Sequence, residues 1–179
     1  MKPLAPAYVS DAAEIVHNGH TVQVNYAAGS ALAVDGHAFE LKQFHFHAPS
    51  ENTINGKRFP LEVHLVHKDT SGKLAVVGVL FEEGADHPLL AKLWEKLPKS
   101  GDKGALPAGL NARELLPAGS DYFRFNGSLT TPPCSEGVTW LVMKSPVSAS
   151  RAQVERFSQA IGFANSRPVQ PLNDRPVLE

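Results

Sequence analysis

Three of the eight histidines in this 179-residue chain are spaced for metal chemistry. In a strand, Gln43-Phe44-His45-Phe46-His47 puts Gln43, His45 and His47 on one face and Phe44 and Phe46 on the other. Two imidazoles about 7 Å apart along that face can share one ion. The run Leu61-Glu62-Val63-His64-Leu65-Val66-His67 alternates in the same way, with Leu61, Val63, Leu65 and His67 on one face and Glu62, His64 and Val66 on the other. If the apolar face packs inward, His64 projects beside His45 and His47 from a neighbouring antiparallel strand. Three neutral imidazoles leave a fourth tetrahedral position for water, the arrangement of a catalytic zinc rather than a structural one. Gln43 and Glu62 each precede a ligand by two residues on the same face, where an acceptor orients a metal-bound imidazole. Buried Glu is rare without a partner, which favours such a role for Glu62. His67 faces away from this set and is expected to be structural or exposed.

A competing pattern is His45-x-His47-x3-Glu51, the first half of a cupin motif, which would make the chain a metal-binding β-barrel. The rest of that motif is missing. Phe39 and Arg58 stand where it has glycines, and no His-x3-Asn follows a Pro-x-Gly.

The elements that must position these groups are mostly strands. Period-two alternation marks Thr21 to Tyr26, Phe39 to His47 and Leu61 to His67, and further strands are expected at Lys73 to Phe81, Asp121 to Asn126 and Gly137 to Met143. Asn55-Gly56 and Asn126-Gly127 read as turns between them. One helix is expected to open at Asp86, with Pro88 in its first turn and Leu89, Leu90, Leu93, Trp94 and Leu97 as its stripe. A second begins at Ser150, where Gln153 completes a capping box, and carries Val154, Phe157 and Ile161 before Gly162 stops it. The stretch 98–118 reads as a long loop with at most one helical turn, and 165–179 as extended. With 14 Gly, 14 Pro and no internal repeat, the chain reads as a single mainly β, α+β domain: a central, largely antiparallel twisted sheet with a few peripheral helices.

Composition narrows the partners. Seventeen Lys and Arg against eighteen Asp and Glu give a net charge of -1, which argues against nucleic acid and anionic membrane. The longest apolar run, Leu74 to Phe81, is far below the roughly 20 residues needed to span a bilayer.

Gly127-Ser128-Leu129-Thr130-Thr131-Pro132-Pro133-Cys134-Ser135-Glu136-Gly137-Val138-Thr139-Trp140 resembles an alpha-class carbonic anhydrase of bacterial type. Asn18-Gly19-His20, the two histidine strands, Ser50-Glu51-Asn52, Leu74 to Gly78 and Asn165-Ser166-Arg167-Pro168 follow the same family in order and spacing. The resemblance implies Zn2+ on His45, His47 and His64, oriented by Gln43, by the Asn165 main-chain carbonyl and by Glu62. It implies reversible hydration of CO2 to bicarbonate and a proton by zinc-bound hydroxide, with sensitivity to sulfonamides. Thr130 resembles the gatekeeper that accepts a hydrogen bond from the hydroxide while donating its own proton to Glu51. Val66, Val76, Leu129, Thr131, Val138 and Trp140 match the substrate wall, and His20 the proton shuttle. Without the resemblance, the apolar members of that wall would read as core. A catalytically weak zinc-binding relative is the alternative within the family.

The resemblance begins after the family's amino-terminal portion, so residues 1–179 are expected to form an amino-terminally truncated domain. Cys134 is the sole cysteine. In secreted bacterial members the cysteine at this position pairs with one in the missing portion, so the resemblance implies a periplasmic or secreted parent, with a cytoplasmic location if the short chain is natural. Uncovered sheet edge and apolar surface would also favour a homodimer.

Overall fold

The computed structural model describes residues 1–9 and 12–179. In chain order its strands are β1 (Ala12–His17), β2 (Val22–Tyr26), β3 (Ala31–Val34), β4 (His37–His47), β5 (Thr53–Ile54), β6 (Lys57–Arg58), β7 (Leu61–Lys68), β8 (Leu74–Glu83), β9 (Lys103–Gly104), β10 (Tyr122–Ser128), β11 (Glu136–Met143) and β12 (Val147–Ala149). The helices are α1 (Pro88–Trp94), a 3-10 turn at Ala112–Leu115, and α2 (Arg151–Ile161). The main sheet runs β10-β11-β8-β7-β4-β2-β1-β9, with β3 added to β4 and β12 to β8. Only β11 and β12 pair with β8 in parallel, so the sheet is largely antiparallel as expected.

All six expected strands form, and the additional ones have local causes. Asp35 and Gly36 both take positive φ, closing a two-residue hairpin that pairs Val34 with His37. Asn55-Gly56 does the same between β5 and β6. Asn126-Gly127 does not form the turn expected of it and lies inside β10. The reason is packing: a Cβ on Gly127 would stand 3.0 Å from Cδ1 of Trp140, so the glycine makes room for an indole rather than for a bend.

Helix α2 begins and ends as expected. Ser150 and Gln153 form the capping box, and Gly162 closes the helix at φ 82°. Helix α1 is capped at His87, one residue past Asp86, and Leu89, Leu90, Leu93 and Trp94 are all buried. Gln153 joins the two helices. Its amide accepts from His87 N and donates to His87 O, while its main-chain carbonyl accepts from Trp94 Nε1.

The main core, which includes Phe44, Phe46, Leu61, Val63, Leu65, Trp94 and Phe157, packs these helices against one sheet face. A smaller apolar cluster of Val66, Val76, Leu80, Val138, Trp140 and Val142 lies on the other face. The second face carries the site.

Candidate metal centre

Strands β4 and β7 are antiparallel and pair His45 directly with His64. One ligand nitrogen from each of His45, His47 and His64 lies within 4.8 Å of the others. The remaining nitrogens are held. His45 Nδ1 is 2.7 Å from Gln43 Oε1, and His47 Nδ1 donates to the Asn165 carbonyl at 2.9 Å. His64 Nε2 is 2.9 Å from Glu62 Oε1. Both His45 and His47 therefore turn Nε2 toward the common centre, whereas His64 turns Nδ1. His47 Nε2 is buried with no hydrogen-bond partner among the described residues, as a nitrogen reserved for an ion would be.

Electrostatics suit the same purpose at His45 and His47. Burial, reinforced by the neighbouring imidazoles, holds the pKa of His45 well below the ordinary histidine value and that of His47 below it. Both rings are neutral with a lone pair free at neutral pH. Burial alone would raise the Glu62 carboxyl, but the His64 charge and the hydrogen bonds around it prevail and hold it down to about 2. That carboxylate also accepts from Glu51 N, Asn52 N and Asn52 Nδ2 at 2.6 to 2.8 Å. Burial lowers His64, yet Glu62 outweighs it and the net direction is upward.

The three imidazoles stand in a cavity of about 640 Å³ that also exposes His20, Gln43, Glu51, Thr130, Thr131 and Asn165. Val66, Val76, Leu129 and Trp140 supply its apolar wall, with the Trp140 ring 4.7 Å from His64. Val138, 1% exposed, belongs to the same apolar cluster as Trp140. Glu51 is buried; its Oε1 accepts from Arg167 N at 2.7 Å, and its Oε2 lies 3.8 Å from His64 Nδ1 with no hydrogen bond among the described residues. Among those residues no hydrogen bond joins Thr130 to Glu51, although both face the cavity. His20 is exposed. His67 is buried and structural: Nδ1 faces Ala75 O, leaving Nε2 to accept from Tyr8 OH at 2.7 Å.

Sequence reasoning missed other residues of the cavity, including Asn18, Gln23, Leu74, Cys134 and Phe163. Gln23 had a legible signal, because alternation on β2 points it away from Val22 and Val24, and it pairs with His45. Phe163 and Cys134 lie outside regular strands, where period-two reasoning has nothing to act on. Cys134 is a free thiol at φ 55°.

A cluster of His45, His47 and His64 that could hold a metal ion, on a largely antiparallel sheet and lining a half-apolar cavity, fits the carbonic anhydrase class. The chain belongs to the eukaryotic-type carbonic anhydrase family, that is, the alpha class, whose family model matches residues 1–179. A carbonic anhydrase from Pectobacterium atrosepticum is 50% identical over 98% of this chain and 72% of its own length. The alpha-carbonic anhydrase of Thermovibrio ammonificans, solved with the inhibitor sulfanilamide, superposes with a TM-score of 0.98 at 51% identity, over 100% of this chain and 80% of that one. Dioscorin DB3S from Dioscorea polystachya is 38% identical over 93% of this chain and 65% of its own length. The chain is thus an enzyme of the carbonic anhydrase type, and CO2 hydration is the activity of its family.

Proposed function

We propose that the chain catalyses zinc-dependent, reversible hydration of CO2 to bicarbonate and a proton. The observation that carries this reading is the three imidazole nitrogens within 4.8 Å of one another, on rings whose other nitrogens face Gln43 Oε1, the Asn165 carbonyl and Glu62 Oε1. His45, His47 and His64 would hold the ion, and the unpartnered His47 Nε2 fits that assignment. When bound, zinc acts as a Lewis acid that makes water nucleophilic near neutral pH, a chemistry for which carbonic anhydrase is the standard example.

The chain's own residues supply the rest. Gln43, the Asn165 carbonyl and Glu62 hold the imidazoles in one orientation. Glu51 Oε2 makes no hydrogen bond among the described residues, and the Thr130 hydroxyl is the donor proposed for it. A threonine that donates to a carboxylate can only accept from the attacking nucleophile, which aligns that group's lone pair on the substrate. CO2 has no dipole and few hydrogen bonds to lose, so Val66, Val76, Leu129 and Trp140 suit it and exclude competing water. His20, exposed at the cavity, would carry the product proton to buffer.

The alternative of a catalytically weak zinc-binding relative draws support from the absence of a Thr130–Glu51 bond among the described residues. Under either reading, protein purified without added metal should hold about one zinc per chain by elemental analysis, and His64→Ala should lose it. Zinc retained at full occupancy by His64→Ala would remove the proposed ligand set.

A further inference from the structure

The turn that carries His20 is pinned on every side, and the most informative pin is a side chain whose backbone already serves another purpose. His17 is buried. Its Nε2 donates to Ala160 O at the end of α2, and its Nδ1 accepts from Gly19 N. Asn18 Oδ1 accepts from both His20 N and Thr21 N at 2.9 Å. Thr21 Oγ1 donates to Phe46 O at 2.6 Å and accepts from Phe46 N, riveting the turn to β4 between the ligands His45 and His47. Asn165 Nδ2 donates to His20 O and to Phe46 O, both at 2.9 Å, while its Oδ1 accepts from Ala48 N at 2.8 Å.

Asn165 thus divides into two parts with separate jobs. Its main-chain carbonyl orients His47. Both protons of its amide and the amide oxygen bind the His20 turn to the ligand strand. The His20 backbone is held at N by Asn18 and at O by Asn165, whereas its imidazole makes no hydrogen bond among the described residues and is exposed. A proton shuttle needs this combination of a root at constant distance from the metal and a ring free to swing between site and solvent. The polarity is specific too, since an oxygen in place of Nδ2 would confront two carbonyl oxygens.

We infer that the Asn165 side chain is a positioning residue for proton transfer: it clamps the His20 turn to the metal-ligand strand, independently of the Asn165 carbonyl that orients His47. The inference rests on His20 as the shuttle. Proton delivery to buffer follows CO2 conversion, so it limits kcat and leaves kcat/KM alone.

Asn165→Ala keeps the carbonyl and removes the amide. In stopped-flow CO2 hydration, kcat at low buffer should fall roughly fivefold, about the net worth of one neutral hydrogen bond. kcat should fall by a larger factor than kcat/KM, and added imidazole should restore kcat without restoring kcat/KM. Amide hydrogen exchange should accelerate at Ala48, whose N–H loses its acceptor, and at Gly19 to Thr21, and not within β4. Asn18→Ala, which loosens the same turn without touching β4, should reproduce the kinetic pattern and covers a failure of Asn165→Ala to fold. In a His20→Ala background, neither change should lower kcat further. Equal losses of kcat and kcat/KM at all buffer concentrations, or no loss with unchanged exchange, would overturn the clamp. If His20→Ala alone leaves low-buffer kcat intact, the shuttle reading itself has failed, a result distinguishable from normal His20→Ala behaviour with an inert Asn165.

Discussion

At the residue scale, Glu62 shows how a buried charge can be built into a sheet. It is 0% exposed, and its oxygens meet two backbone amides, the Asn52 amide and His64. Gly78 permits this, because a Cβ there would stand 3.0 Å from Glu62 Oε1. Removing one partner of such a group leaves the others buried and unpaired, so Glu62→Ala should cost about 3 to 5 kcal/mol in urea denaturation. Glu62→Gln should lose less, because it keeps the shape and part of the hydrogen bonding. The carboxyl is depressed from 4.5 to about 2 in the fold, so its contribution is full above pH 4.5 and disappears as pH falls toward 2. His67 works in the same direction at higher pH. Burial lowers it from 6.5 to about 4, so the unfolded chain takes up its proton first and stability declines as pH falls from 6.5 to 4. His67→Gln should flatten the pH-stability curve in that window, and an unchanged slope there would contradict the assignment. The ligand triad, Gln43 and Glu62 were legible because strand alternation places them. The Asn165 side chain and Gly78 were not, because their roles depend on contacts distant in sequence, with Asn165 reaching back to His20, Phe46 and Ala48.

At the element scale, β4 must bury two apolar sets that simple alternation would put on opposite faces. Phe39 and Leu41 are buried, as are Phe44 and Phe46. The pairing with β7 slips between Leu41 and Gln43, a bulge at Lys42 that reverses the phase and turns Gln43, His45 and His47 toward the cavity. The break in apolar phase is visible in the sequence, yet alternation by itself does not say which residue is extruded. The long stretch 98–118 holds the single helical turn allowed for it, at Ala112–Leu115, and hides β9, too short for any periodicity to register. Helix α2 was legible to the residue because its signals are local. Ser150→Ala should therefore cost about 1 kcal/mol. Gln153→Ala should cost more, about 2 to 3 kcal/mol, since it also strips both His87 backbone groups of their partners. Equal losses for the two variants in chemical denaturation would contradict the part given to Gln153 in joining the helices.

At the scale of the whole molecule, the sheet separates two functions. One face packs α1 and α2 into the main core, and the other holds the smaller apolar cluster under the cavity. Class and architecture were legible because hydrophobic period and histidine spacing are both sequence properties. Val138 and Trp140 share a strand face and one apolar cluster, a placement that strand alternation makes legible. Among the described residues, no helix is long and apolar enough to cross a membrane. A metal that binds the folded triad and not the unfolded chain adds its binding energy to folding. Removing zinc with a chelator should lower the midpoint of thermal unfolding by several degrees, and restoring it should recover the loss. In His64→Ala the same treatment should change nothing, and a shift of wild-type size in that variant would place the metal elsewhere.

Whether this triad, in this cavity, hydrates CO2 is decided by stopped-flow hydration of CO2 with the zinc-loaded protein. Turnover should run well above the uncatalysed rate and be abolished by an aromatic sulfonamide and by His64→Ala. A fully zinc-loaded, folded protein that fails to accelerate hydration would contradict it.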